Sequence, residues 1–291
     1  SSVVCDGTQL YVSFPNDNKI HTTALSMEGK VLWQTAVSDY VIHQGFGTSP
    51  TVYRDVVIAK ADSKKIGGAV AGLNKKTGKV IWKIKRPKYP NYTTPVMITA
   101  YGKLQMVFAG AELITSIDPL TGNKHWEFPG STQECVTTAV TDGKRIFVSG
   151  GWPKNHIAAI EADGSGKITW QNTARVYVPS MLMKNGHLYA TMDAGFATCW
   201  DSATGKELWK ERLGGAFFAS PVLVGERIYA TNLAGKTSVY STDPKKFKLL
   251  ATNQLGNEVY ASPIVSGNRL YLRVAFKGAN RQEYLYCIGA N

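Results

Sequence analysis

Five histidines, four cysteines and a scattering of acids are the residues of this 291-residue chain whose types could do chemistry. A zinc site would need such ligands paired a few residues apart. His21, His43, His125, His156 and His187 fall at unrelated points, and Cys5, Cys135, Cys199 and Cys287 form no CxxC pair. The spacing supplies neither a metal cluster nor a disulfide framework, so the cysteines are expected as free or buried thiols. GSGKIT at residues 164–169 has the composition of a phosphate loop but lacks the GxxxxGK[ST] spacing that wraps backbone N–H groups around an anion. Asn91, Tyr92 and Thr93 spell a glycosylation sequon. What remains is a set of aromatic and polar side chains: His43, Tyr92, Glu134, Arg175, Tyr177, Phe218 and Tyr260. Aromatics accompanied by a few charges are the chemistry of recognition rather than turnover. These seven are the candidate binding residues, with a packed rim as the alternative reading. No catalytic residue, metal ligand or cofactor is expected.

The elements that must position them come from a repeat. Each candidate precedes, by a few residues, a hydroxyl residue followed by alternating apolar positions, a Gly, Asn or Asp turn and a second strand. The clearest copies are SPTVYRDVVIA, TAVTDGKRIFV, SPVLVGERIYA and SPIVSGNRLYL. The repeat starts are Ser2, Ser49, Thr94, Thr138, Ser180, Ser220 and Ser262. Downstream of a start, a glycine recurs four residues before a tryptophan: EGKVLW, TGKVIW, TGNKHW, SGKITW and TGKELW. Five of the seven tryptophans, Trp33, Trp82, Trp126, Trp170 and Trp209, hold this position. The glycine marks a hairpin needing positive φ. A repeat of about 40 residues made of short strands with period-two alternation is a propeller blade. The fold class predicted is therefore all-β, a β-propeller of four-stranded antiparallel blades in one domain over 1–291, with seven or eight blades. In that arrangement the hydroxyls line the channel entrance, either satisfying crowded backbone groups or forming a ligand ring.

Composition agrees with many short strands joined by tight turns. Apolar residues are 44%, charged residues 19%, and there are 28 glycines and 12 prolines. No run approaches the roughly 18 apolar residues of a membrane helix. The net charge of +12 favours anionic partners. Its densest clusters, Lys83, Lys85, Arg86 and Lys88, then Lys245, Lys246 and Lys248, lack the aromatic interleaving of a nucleic-acid channel. An acidic protein, an anionic polymer or a membrane surface is the partner class left, beside a merely solvated surface. Oligomeric state is not legible.

The [TS]GKxxW motif after a short apolar strand resembles the pyrroloquinoline-quinone (PQQ) repeat of quinoprotein dehydrogenases and of the outer-membrane assembly lipoprotein family. GFGTSPTVYRDVVIAKAD, LNKKTGKVIWK and YLYCIG are similar to segments of secreted planctomycete-type PQQ-like proteins. The resemblance implies a periplasmic or secreted compartment and makes the five motif tryptophans wedges between blades. It also implies two departures: STDPKKFKLL puts Leu250 in place of a sixth tryptophan, and the seventh repeat stops before its outer strand. A missing N-terminal strand or blade is the corresponding expectation. A quinoprotein enzyme would need adjacent cysteines and a carboxylate-rich calcium site, and Glu134 is the only acid among the loop residues singled out. The expected function is a non-catalytic scaffold for a protein, peptide or anionic carbohydrate. The alternatives are a PQQ-dependent dehydrogenase and an accessory subunit of an electron-transfer complex.

Overall fold

The computed structural model describes residues 1–289. Among them every regular element is a strand, and the strands form seven antiparallel sheets, each a simple meander in chain order. The first sheet is β1 (Val4–Cys5), β2 (Gln9–Asn16), β3 (Lys19–Ser26) and β4 (Val31–Asp39). The second is β5 (Thr51–Tyr53), β6 (Val56–Ala61), β7 (Gly68–Asn74) and β8 (Val80–Arg86). The third is β9 (Val96–Ala100), β10 (Lys103–Gly110), β11 (Leu113–Ile117) and β12 (Lys124–Pro129). The fourth is β13 (Val140–Thr141), β14 (Arg145–Gly150), β15 (His156–Glu161) and β16 (Ile168–Asn172). The fifth is β17 (Leu182–Lys184), β18 (His187–Thr191), β19 (Phe196–Asp201) and β20 (Glu207–Arg212). The sixth is β21 (Val222–Val224), β22 (Arg227–Thr231), β23 (Lys236–Ser241) and β24 (Leu249–Gln254). The last holds three strands, β25 (Ile264–Ser266), β26 (Arg269–Lys277) and β27 (Arg281–Gly289). This is a seven-bladed β-propeller.

The chain divides into two compact units, residues 1–154 with 160–168, and residues 155–159 with 169–291. In the first, β6, β7 and β10 bury near-continuous, mostly apolar runs because both faces of each sheet are covered. Tyr11, Ala24, Trp33, Val57, Ala59 and Leu73 form one of its core clusters. In the second, Tyr189, Cys199, Trp209, Phe217, Ile228 and Tyr240 form the counterpart. Cys135 and Cys199 are buried free thiols, while Cys5 and Cys287 are free and exposed. Among the described residues no helix is long and apolar enough to cross a membrane.

Four outer strands carry a β-bulge just before the tryptophan. Trp33 pairs with Ala24, Trp82 with Gly72, Trp126 with Ser116 and Trp209 with Cys199, while Leu32, Ile81, His125 and Leu208 are skipped in the ladder. The extra residue bends the strand and re-aims the indole toward the next sheet. In the sixth sheet the same register pairs Val239 with Ala251 and skips Leu250. Ala251 therefore stands where the tryptophan would, and Leu250 is a bulge residue, 42% exposed. Counting along the sequence could not locate the bulge, which displaced the expectation for Leu250 by one position.

The indoles meet carbonyls of the following sheet's turn. Trp33 Nε1–H donates to Lys75 O at 2.9 Å, Trp82 to Pro119 O at 3.2 Å, Trp170 to Ser202 O at 2.8 Å and Trp209 to Asp243 O at 2.9 Å. Trp126 differs: its indole donates to Gln105 Oε1 at 3.1 Å, within its own sheet. The motif glycine lies against the preceding ring, and a Cβ on Gly122 would sit 2.7 Å from the Trp82 indole, with φ at +73°. Gly122→Ala should therefore cost about 1–3 kcal/mol by overpacking, on top of the backbone strain. Gly143→Ala, where φ is +89° but a Cβ meets nothing within 4 Å, carries the backbone penalty alone. Chemical denaturation of the two variants separates these contributions; equal losses would show that ring contact with Gly122 contributes nothing.

Candidate binding surface at the loop edges

The candidate residues sit in loops that join the outermost strand of one sheet to the innermost strand of the next. The repeated hydroxyls follow these loops, and their side chains accept backbone N–H groups of the neighbouring sheet. Ser2 N–H donates to Ser49 Oγ at 2.8 Å and Ser49 N–H to Thr94 Oγ1 at 3.0 Å. In the second unit Ser180 N–H donates to Ser220 Oγ at 3.0 Å and Ser220 N–H to Ser262 Oγ at 2.8 Å. These oxygens satisfy backbone donors, the first of the two roles open to them.

In the first unit the loops bring His43, Tyr92 and Glu134 together. His43 Nδ1 lies 3.2 Å from Tyr92 Oη, and Lys64 Nζ lies 3.2 Å from His43 Nε2. Tyr92 N–H donates to Cys135 O at 2.9 Å, and Glu134 bridges to Trp152 through the backbone. Tyr92 and Glu134 are buried, with Glu134 only 5% exposed. Burial, reinforced by the Glu134 charge, pushes the Tyr92 hydroxyl up to about 12. The sequon does not present an acceptor in this fold: Asn91 is 3% exposed and its Oδ1 accepts the Cys135 N–H at 2.9 Å.

The same edge holds an ion cluster that sequence reasoning missed. Lys60 Nζ lies 2.8 Å from Asp62 Oδ2, and Arg86 Nε donates to Asp62 Oδ1 at 3.1 Å. Lys60 also reaches Thr93 O at 3.3 Å, Arg86 Nη2 reaches Gly110 O at 3.2 Å, and the guanidinium lies 5.0 Å from the Phe108 ring centre. All three side chains are buried. Arg86 is thus no part of a solvated basic patch, contrary to the cluster read from Lys83 to Lys88. Burial alone would raise the Asp62 carboxyl, but Arg86 and Lys60 outweigh it and hold it below its ordinary value. Burial lowers the Lys60 ammonium. The signal was present in VVIAKAD: the ladder register of Lys60 is occupied by Ser13, Ser149, Thr191 and Thr231 in other sheets.

In the second unit the Arg175 guanidinium lies 5.5 Å from the Tyr177 ring centre and donates to Asn155 Oδ1 at 3.3 Å. Asp193 anchors this loop by accepting the Tyr177 N–H at 2.7 Å and the Val178 N–H at 3.2 Å. Phe218 and Tyr260, from successive loops, stack with centroids 6.0 Å apart and planes 19° apart. Their chain neighbours Phe217 and Val259 are buried, so each loop pins one side chain inward and turns the next outward. Phe217 N–H donates to Asp193 O at 3.1 Å and Val259 N–H to Leu233 O at 2.9 Å. The pair is 40% and 48% exposed respectively. Two adjoining rings held on fixed backbone form a preorganised apolar ledge.

A quinone-and-calcium site would need six or more oxygen ligands, several of them anionic. Two of the acids at these edges are already engaged. Asp62 is bound by two cations and Asp193 by two backbone N–H groups. A calcium ion near Asp62 would also face Lys60 and Arg86. The residues present do not fit that group.

Seven meandering sheets, five of them with a motif tryptophan in the outer strand, define a β-propeller of PQQ-type repeats. The chain belongs to the family described as outer membrane protein assembly factor BamB, whose profile matches residues 2–151 and 153–246. No curated protein matches the sequence. The solved structure of BamB from Moraxella catarrhalis superposes with a TM-score of 0.74 at 15% identity, over 94% of this chain and 81% of that one. A quinohemoprotein alcohol dehydrogenase from Pseudomonas putida HK5 gives 0.65 at 13% identity, over 94% of this chain and 63% of the other. Likeness at these identities is likeness of fold.

Proposed function

We propose that this chain is a non-catalytic, extracytoplasmic scaffold that binds a protein or peptide at its loop edge, with Phe218 and Tyr260 as the principal anchor. The observation that carries the reading is the exposed, stacked pair held outward by buried neighbours. Exposed aromatics on rigid backbone are what anchors a partner's apolar side chain, because little entropy is lost on binding. Arg175 and Tyr177 in the same unit, and His43 with Lys64 in the other, supply polar and cationic contacts at their own edges. Membership of an assembly-factor family supports protein contact as the mode and the cell envelope as the place.

Phe218→Ser with Tyr260→Ser should abolish co-purification of the envelope partner retained by the parent protein, while thermal melting stays within a few degrees, since both rings stand on the surface rather than in a core cluster. Undiminished retention of that partner by the double variant would remove the ledge from the function.

A further inference from the structure

The junction between the third and fourth sheets is built differently from its counterparts, and we propose that the cavity it leaves is a binding site for a short, neutral saccharide. At the Trp33, Trp82 and Trp170 junctions the indole N–H donates directly to the first carbonyl of the next turn, and at the Trp209 junction to the second. Here the first carbonyl, Ala162 O, instead accepts Gln105 Nε2–H at 3.2 Å, and Gln105 Oε1 accepts the Trp126 indole. A side-chain amide has been inserted into the wedge. The turn itself is one residue longer: Glu161 N–H closes on Lys167 O, six residues on, whereas Asn74, Asp118 and Asp201 close on carbonyls five residues on.

The consequence is a cavity of about 880 Å³ between Trp126 and the lengthened turn, within the first unit. That volume lies in the range of small-molecule sites, about 300–1,000 Å³. Trp126, stacked on Phe128 with centroids 5.7 Å apart, and the exposed Leu104 give it an apolar wall. Lys103 and His125 line it too, and neither side chain makes a hydrogen bond to the described residues. Asp118 and Asp163 supply acceptors, with one oxygen of each engaged by backbone N–H groups of its own turn.

This chemistry selects its ligand. The face of an aromatic ring is negative and attracts the weakly positive C–H face of a sugar ring. Sugar hydroxyls both donate and accept, and the wall offers carboxylates for one role and an ammonium and imidazole for the other. Two carboxylates oppose an anion, and Lys103 opposes a cation. Asp118 and Asp163 are both held below the usual carboxylate range: burial would raise Asp118 but its turn N–H groups outweigh it, and Ser165 lowers Asp163. The cavity lies at the β9–β10 and β11–β12 turns, the edge opposite the loops that carry His43 and Tyr92, and it shares no residue with the proposed partner surface.

The test titrates the full chain with maltotriose, cellotriose and N,N′-diacetylchitobiose, read by tryptophan fluorescence and by saturation-transfer NMR. At least one of the three is expected to bind saturably. Lys103→Ala with His125→Ala, both exposed, should weaken that binding at least about tenfold, and Trp126→Ala should abolish the fluorescence change. Failure of all three sugars to saturate would overturn the proposal, as would wild-type affinity in the Lys103/His125 variant.

Discussion

Trp82→Ala is expected to destabilise the protein by about 3–5 kcal/mol, the range for deleting a large aromatic side chain from a packed site. Its ring is buried, rests against Gly72 and Gly122, and donates its N–H across the junction to Pro119 O. The substitution leaves a cavity, an unpaired carbonyl and a lost contact between two sheets. Trp126→Ala should cost clearly less, because that ring is more exposed and its N–H stays within its own sheet through Gln105. Urea denaturation of the two variants side by side measures the difference. A loss at Trp82 no larger than at Trp126 would mean that the direct carbonyl bond is not what joins the sheets.

Asp62→Ala carries the other large effect. It leaves Lys60 and Arg86 buried without their shared anion, and breaking a buried pair by removing one partner costs about 3–5 kcal/mol. Lys60→Met should be near neutral or stabilising, since the remaining Asp62–Arg86 pair is balanced in charge. The pH dependence follows from the two directions. The native Asp62 value is depressed, so its contribution is complete above the unfolded carboxylate value of about 3.9 and is lost as pH falls through the native one. The native Lys60 value is also depressed, so the unfolded chain binds the extra proton between that value and about 10.4, and stability rises with pH across that window. Lys60→Met should abolish the alkaline rise. Calorimetric melting from acid to alkaline pH on both variants and the parent checks this; a parent-like alkaline profile in Lys60→Met would assign the rise to other groups.

The propeller was legible because its signal is periodic: a glycine and a tryptophan recurring at one place cannot be accommodated by a sandwich. The bulge was not, because skipping one residue leaves no compositional trace, and so Ala251 rather than Leu250 holds the sixth wedge register. The site residues were legible as loop positions only. Sequence gives no distances between successive loops, so the pairing of Phe218 with Tyr260 and of His43 with Tyr92 emerged only from the coordinates. Lys60 and Asp62 were readable in principle as charges interrupting a buried strand, yet the whole-chain excess of cations drew Arg86 into a surface cluster. Gln105 carried no signal, since an amide at the start of a strand looks solvated until its partners are known.

The most direct measurement of the binding role is site-specific photo-crosslinking in intact cell envelopes, with the probe at Phe218 in one variant and at Leu32, an exposed bulge residue, in another. A discrete adduct with one envelope protein at position 218, absent at position 32, is the result a loop-edge scaffold predicts. Equal labelling at both positions, or none at 218, would contradict it.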